Sequence, residues 1–109
     1  MIEIEHANES NFEKVIKSKS VVMIDFFATW CGPCKMLSPI LEQIANENEV
    51  DIGIAKLDID ESLEIAKQFG VMSVPTMIIF KDGDEIERLV GLKQKAQIIE
   101  TLKNYIGEE

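Results

Sequence analysis

Eight consecutive residues, Val21-Val22-Met23-Ile24-Asp25-Phe26-Phe27-Ala28, carry one charge among seven apolar side chains. A short apolar run of this kind reads as a buried strand. It leads through Thr29 into Trp30-Cys31-Gly32-Pro33-Cys34-Lys35, and then into Met36 to Ala45, which reads as a helix. A strand buried on both faces must be covered from both sides, so the rest of the chain has to supply helices.

It does. Ile2 to His6 alternates with period two and reads as a first strand. Ser10-Asn11-Phe12-Glu13 fits a capping box, and Phe12, Val15 and Ile16 share a helical face. The helix after the cysteines is expected to run from about 32 to 48, kinked at Pro39. Ile52 to Ile59 reads as a strand and Ser62 to Phe69 as a short helix stopped by Gly70. Thr76 to Phe80 and Glu85 to Val90 flank the hairpin signal Asp82-Gly83, and Ala96 to Ile106 marks a last helix. The alternation predicts an α/β fold with a mainly parallel sheet and an antiparallel hairpin at its edge. At 109 residues, 1–109 is expected to be a single domain.

Composition narrows the partners. The net charge is −9 with no basic block, so nucleic acid and anionic membrane are not expected partners. Met1 to His6 has no basic region followed by an apolar one, and no apolar run is long enough to span a bilayer. The expected compartment is the reducing cytoplasm, where a structural disulfide would not persist.

Cys31 and Cys34 are the only cysteines, and two cysteines in that compartment call for a metal or a redox explanation. A structural zinc site needs four ligands, and the one histidine, His6, sits on a distant strand. No metal and no cofactor is therefore expected. A purely structural disulfide across so short a loop would add little stability. Thiol–disulfide exchange needs an accessible thiolate and a second thiol to resolve the mixed disulfide. At a helix start, unpaired N–H groups and the positive dipole end favour a thiolate at Cys31. Cys34, one turn in behind Pro33, is expected to be the less accessible, resolving thiol. Pro33 is tolerated because first-turn N–H groups lack intrahelical partners.

Asp25 shares a strand face with Val21, Met23 and Phe27, beneath the helix that carries the cysteines. Burial should raise its pKa, and a carboxyl so placed can accept the proton of Cys34. Lys56, on a neighbouring strand, is a candidate to tune it. Trp30 precedes the cysteines and should not be wholly buried. The remaining aromatics, and most of Met23, Met36, Met72 and Met77, read as core packing.

Asp25 to Lys35, Lys56-Leu57-Asp58-Ile59-Asp60, Val74-Pro75-Thr76, Phe80-Lys81-Asp82-Gly83 and Val90-Gly91 together resemble the thioredoxin family, over nearly the whole chain. The resemblance implies a five-stranded mixed sheet flanked by four helices and reduction of disulfides in other proteins. It implies a thioredoxin reductase as partner, oxidised proteins as substrates and a monomeric carrier. It also implies a cis Pro75 facing the dithiol and backbone hydrogen bonds from Val74 to an extended substrate segment. Trp30, Gly32, Pro33, Ile59, Val74, Pro75, Val90 and Gly91 would form a flat apolar docking surface, with Gly32 and Pro33 also tuning the redox couple. Departures are Phe27 where many members carry Trp, Ser73 where several have Gly, and Lys93-Gln94 where the last helix lacks a good N-cap. Two other functions fit the fold: a disulfide oxidase or isomerase, against which Gly32-Pro33 argues, and a non-catalytic subunit of a larger complex.

Overall fold

Val22, Ile24 and Phe26 point to one side of their strand and Val21 and Met23 to the other, and all five are buried. The architecture covers both sides. The computed structural model describes residues 4–47 and 51–106. In chain order its elements are β1 (Glu5–Ala7), α1 (Phe12–Ile16), β2 (Val21–Phe27), α2 (Gly32–Glu47), β3 (Gly53–Asp58), α3 (Leu63–Gln68), β4 (Thr76–Lys81), β5 (Asp84–Val90) and α4 (Lys95–Lys103). Ile2 and Glu3 of the expected first strand, and Asn48 at the end of the expected second helix, lie outside the described residues. α2 continues through Pro39.

The sheet order is β1-β3-β2-β4-β5. β1 and β2 run parallel to β3, whereas β4 runs antiparallel to β2 and β5 antiparallel to β4. The sheet is thus mixed, not mainly parallel as the bare alternation suggests. The reason lies in α3. Its six residues rise only about 9 Å, too little to carry the chain back along β3. β4 therefore starts at the end where β2 and β3 finish. That end gathers Phe27, Asp58 and Thr76, and the functional site forms there.

One face packs α1 and α3 residues against Val22, Ile24, Phe26, Ile78 and Phe80. The other packs Leu37, Leu41 and Ile44 of α2 and Ile98, Ile99 and Leu102 of α4 against Val21, Met23, Met77 and Ile79. The hairpin turn places both Asp82 (φ 52°) and Gly83 (φ 89°) in the left-handed region, which suits the twist of two paired strands. The capping box at Ser10 is not formed. Asn11 is the N-cap of α1 without a side-chain cap bond, and Asn8 Oδ1 instead accepts from the N–H groups of Ser10 (2.9 Å) and Asn11 (3.1 Å). Gln94 likewise caps α4 without a side-chain hydrogen bond, in keeping with the weak cap read from the sequence.

Candidate active site

The strand β2 gives way to α2 through a tight turn in which Cys31 N–H donates to the Ala28 carbonyl at 3.2 Å. Cys31 is the last residue before the helix, and Cys34 lies in its first turn. A disulfide joins them, with Cα atoms 5.3 Å apart. The Cys34 N–H, one of the unpaired donors of the helix start, points at Cys31 Sγ at 3.1 Å. No acidic residue in the first turn opposes the positive end of α2. Both features are of the kind that favours a thiolate over a thiol at a helix start.

The expected difference in exposure between the two cysteines is not there. Cys31 is 5% exposed and Cys34 4%. Surroundings distinguish them instead. Cys31 Sγ lies 3.7 Å from the Val74 carbonyl oxygen. Cys34 lines a solvent-open cleft of about 400 Å³ with Phe27, Ala28, Thr29, Lys35, Ser38 and Lys56. A second groove of about 490 Å³ along α4 lies apart from the cysteines.

Asp25 is fully buried, and neither carboxyl oxygen has a hydrogen-bond partner. Burial pushes its pKa up from the ordinary 3.8 to about 7, and the Lys56 charge offsets part of that rise. Lys56 is register-paired with Asp25 across β3 and β2. Its ammonium, however, donates to Ser38 Oγ at 2.8 Å and stands 4.9 Å from the centroid of the Phe27 ring. Ser38 is a site residue that the sequence reading missed. Its one sequence signal is a spacing of four from Cys34, which places both on one helix face.

The Val74–Pro75 peptide bond is cis. The loop that carries it is held by Thr76 Oγ1 donating to the Ser73 carbonyl at 2.7 Å and by Gly91 N–H donating to the Pro75 carbonyl at 2.8 Å. Gly91, at φ 92°, takes a turn that L side chains adopt with strain. Trp30 is 68% exposed, and its indole N–H donates to Asp60 Oδ2 at 2.9 Å. Val90 is exposed, Ile59, Val74 and Gly91 are half-buried, and Pro75 is buried. Gly32 and Pro33 are exposed at the helix start, and a Cβ added at Gly32 would meet nothing within 4 Å. Of the four methionines read mostly as packing, Met23 and Met77 are buried, whereas Met36 and Met72 are exposed, Met72 at 95%.

Comparison with known proteins settles the family. The Thioredoxin family model matches residues 3–104. The chain belongs to the thioredoxin family. It is 49% identical over 102 residues to the thioredoxin of Chlamydia muridarum, spanning 94% of this chain and 98% of that one. It is 45% identical over 105 residues to the bifunctional thioredoxin reductase/thioredoxin of Mycobacterium leprae, spanning 96% of this chain and 23% of that protein. Among solved structures, a mutant thioredoxin from Halobacterium salinarum superposes with a TM-score of 0.89 at 34% identity, over 97% of this chain and 92% of that one. Family membership and the Cys31–Cys34 disulfide make this thioredoxin-family chain a protein-disulfide oxidoreductase.

Proposed function

We propose that the protein is a general disulfide reductase of the cytoplasm, one thioredoxin domain spanning 1–109 that carries electrons from a thioredoxin reductase to oxidised target proteins. The observation that carries the assignment of roles is the asymmetry around the disulfide. A main-chain donor, the Cys34 N–H, and the Val74 carbonyl lie at Cys31. A cleft lies beside Cys34, and Asp25 sits unpartnered on β2, on the face that α2 covers.

In the reduced protein the Cys31 thiolate attacks one sulfur of a target disulfide. That bond breaks, a mixed disulfide forms at Cys31, and the first target sulfur leaves as a thiolate. Cys34 then gives its proton to the Asp25 carboxylate, and its sulfur attacks Cys31 Sγ. The mixed disulfide breaks, the Cys31–Cys34 bond forms, and the second target sulfur leaves. Two electrons have passed to the target. A pKa of about 7 suits the acceptor, because a general base works best when poised near the operating pH. Lys56 modulates that poise, and Gly32 and Pro33 set the couple. Trp30, Ile59, Val74, Pro75, Val90 and Gly91 form the docking surface, with the Val74 backbone pairing to an extended target segment. Regeneration needs a two-electron donor, and the fused reductase of the Mycobacterium leprae relative supports a thioredoxin reductase in that role.

Cys34→Ser separates the steps. It is expected to accumulate covalent adducts with oxidised target proteins, whereas Cys31→Ser forms none; a Cys34→Ser protein free of adducts would show that exchange does not proceed this way. Asp25→Asn is expected to leave formation of the mixed disulfide unchanged. Its release near neutral pH should slow by about 100-fold, the lower end of general-base contributions. Single-turnover kinetics read both rates.

A further inference from the structure

Lys56 has two places to put its ammonium. It is the register partner of Asp25, on the same face of a strand about 4.8 Å away, and its stem is long enough to reach that carboxyl. It goes elsewhere. Nζ donates to Ser38 Oγ at 2.8 Å and faces the Phe27 ring, while both Asp25 oxygens are left without a hydrogen bond. Ser38 is delivered by α2, one turn beyond Cys34, into the cleft that Cys34 and Lys56 also line.

We propose that Ser38 is a positioning residue for the exchange reaction: by accepting the Lys56 ammonium it holds that cation off Asp25 and leaves the carboxyl free to take the proton of Cys34. The inference rests on the proton-acceptor reading of Asp25 given above.

The competition is electrostatic. A contact ion pair stabilises the carboxylate and lowers a pKa by about 1–3 units, which would make Asp25 a weaker base. A more distant cation lowers it less, and burial then dominates. A neutral hydroxyl is a suitable holder, since it accepts a charge-assisted bond without adding charge, and the Phe27 face adds a cation–π attraction. The other groups that face Asp25 do not substitute for Lys56. Cys34 of α2 is the proton donor, and Lys35 stands exposed on the cleft wall. Asp58 lies two residues along β3, and His6 of β1 is the far register partner of Lys56. β4 places Met77 opposite Asp25, and α4 gives that face Ile98, Ile99 and Leu102.

The test titrates the Asp25 carboxyl directly by carboxyl-carbon NMR, and mixed-disulfide release against pH beside it. Alanine is a strong helix former, so Ser38→Ala should fold. It is expected to lower the Asp25 midpoint by about one pH unit, with the release profile following. Ser38→Thr, which keeps the hydroxyl, should restore both. In a Lys56→Met background, adding Ser38→Ala should change neither. An unchanged or raised midpoint in Ser38→Ala, or the same drop without Lys56, overturns the inference. If the midpoint stays while Asp25→Asn still slows release, only the Ser38 inference falls. If the midpoint drops while release ignores it, the acceptor reading falls, and Ser38's part in the reaction with it.

Discussion

Asp25 and Phe26 are neighbours on the central strand, both fully buried, and they face opposite sides of the sheet. Phe26 joins an apolar cluster in which Phe12, Phe69 and Phe80 pack edge-on or tilted, with centroids 5.4 to 5.8 Å apart. Asp25 extends the row of Val21 and Met23 beneath α2, at the point where apolar packing gives way to the cysteines. One side of β2 gains stability from every residue it buries. The other side carries, at its last fully buried position, a carboxyl that costs stability whenever it is ionised. The cost is concentrated where the proposed proton transfer would use it.

Phe26→Ala is the strongest way to break that contrast. It removes a fully buried ring and is expected to cost about 3–5 kcal/mol, by a similar amount at every pH, as read from denaturant midpoints. Asp25→Asn should do the opposite, and only in part of the pH range. Because the folded-state pKa is raised to about 7, the native state holds a proton that the unfolded chain releases above the ordinary 3.8. Wild-type stability therefore falls as pH rises from about 4 to about 7, by roughly 4 kcal/mol in all. Below that window both states are protonated and this burden vanishes. Denaturation of the oxidised protein at about pH 4 and about pH 8.5, on either side of that window, should show the Asn variant gaining on wild type by that order. A pH-independent difference would mean that burial does not govern this carboxyl. The smallest effect sharpens the comparison. Lys56→Met removes the charge that offsets part of the burial, so the Asp25 midpoint should rise further, by about one unit or less, in the same NMR titration.

The sequence made the cysteines legible because their chemistry depends on local order. A strand running into a helix start is visible in the run from Val21 to Ala45. Asp25 was legible for the same reason, as a charge breaking an apolar run. What escaped is what packing alone brings together. Nothing near Ser38 points to Lys56, eighteen residues on, and only the seating of α2 across β3 joins them. The Trp30–Asp60 bond likewise spans thirty positions. The direction of β4 could not be taken from alternation, because it depends on how far a six-residue helix travels. The near-equal burial of Cys31 and Cys34 was hidden because the Val74 loop arrives from a distant part of the chain.

Two of the atoms that face Cys31, the amide nitrogen of Cys34 and the carbonyl oxygen of Val74, belong to the main chain. Point mutation to anything but proline leaves the first in place, and no substitution deletes the second. These two contacts to the sulfur therefore persist through almost any change of side chain, whereas Trp30, Met72 and Val90 present exposed side chains that a substitution replaces outright. An engineer could replace Trp30 or Val90 to test the proposed docking surface and leave the sulfur's immediate setting as it is.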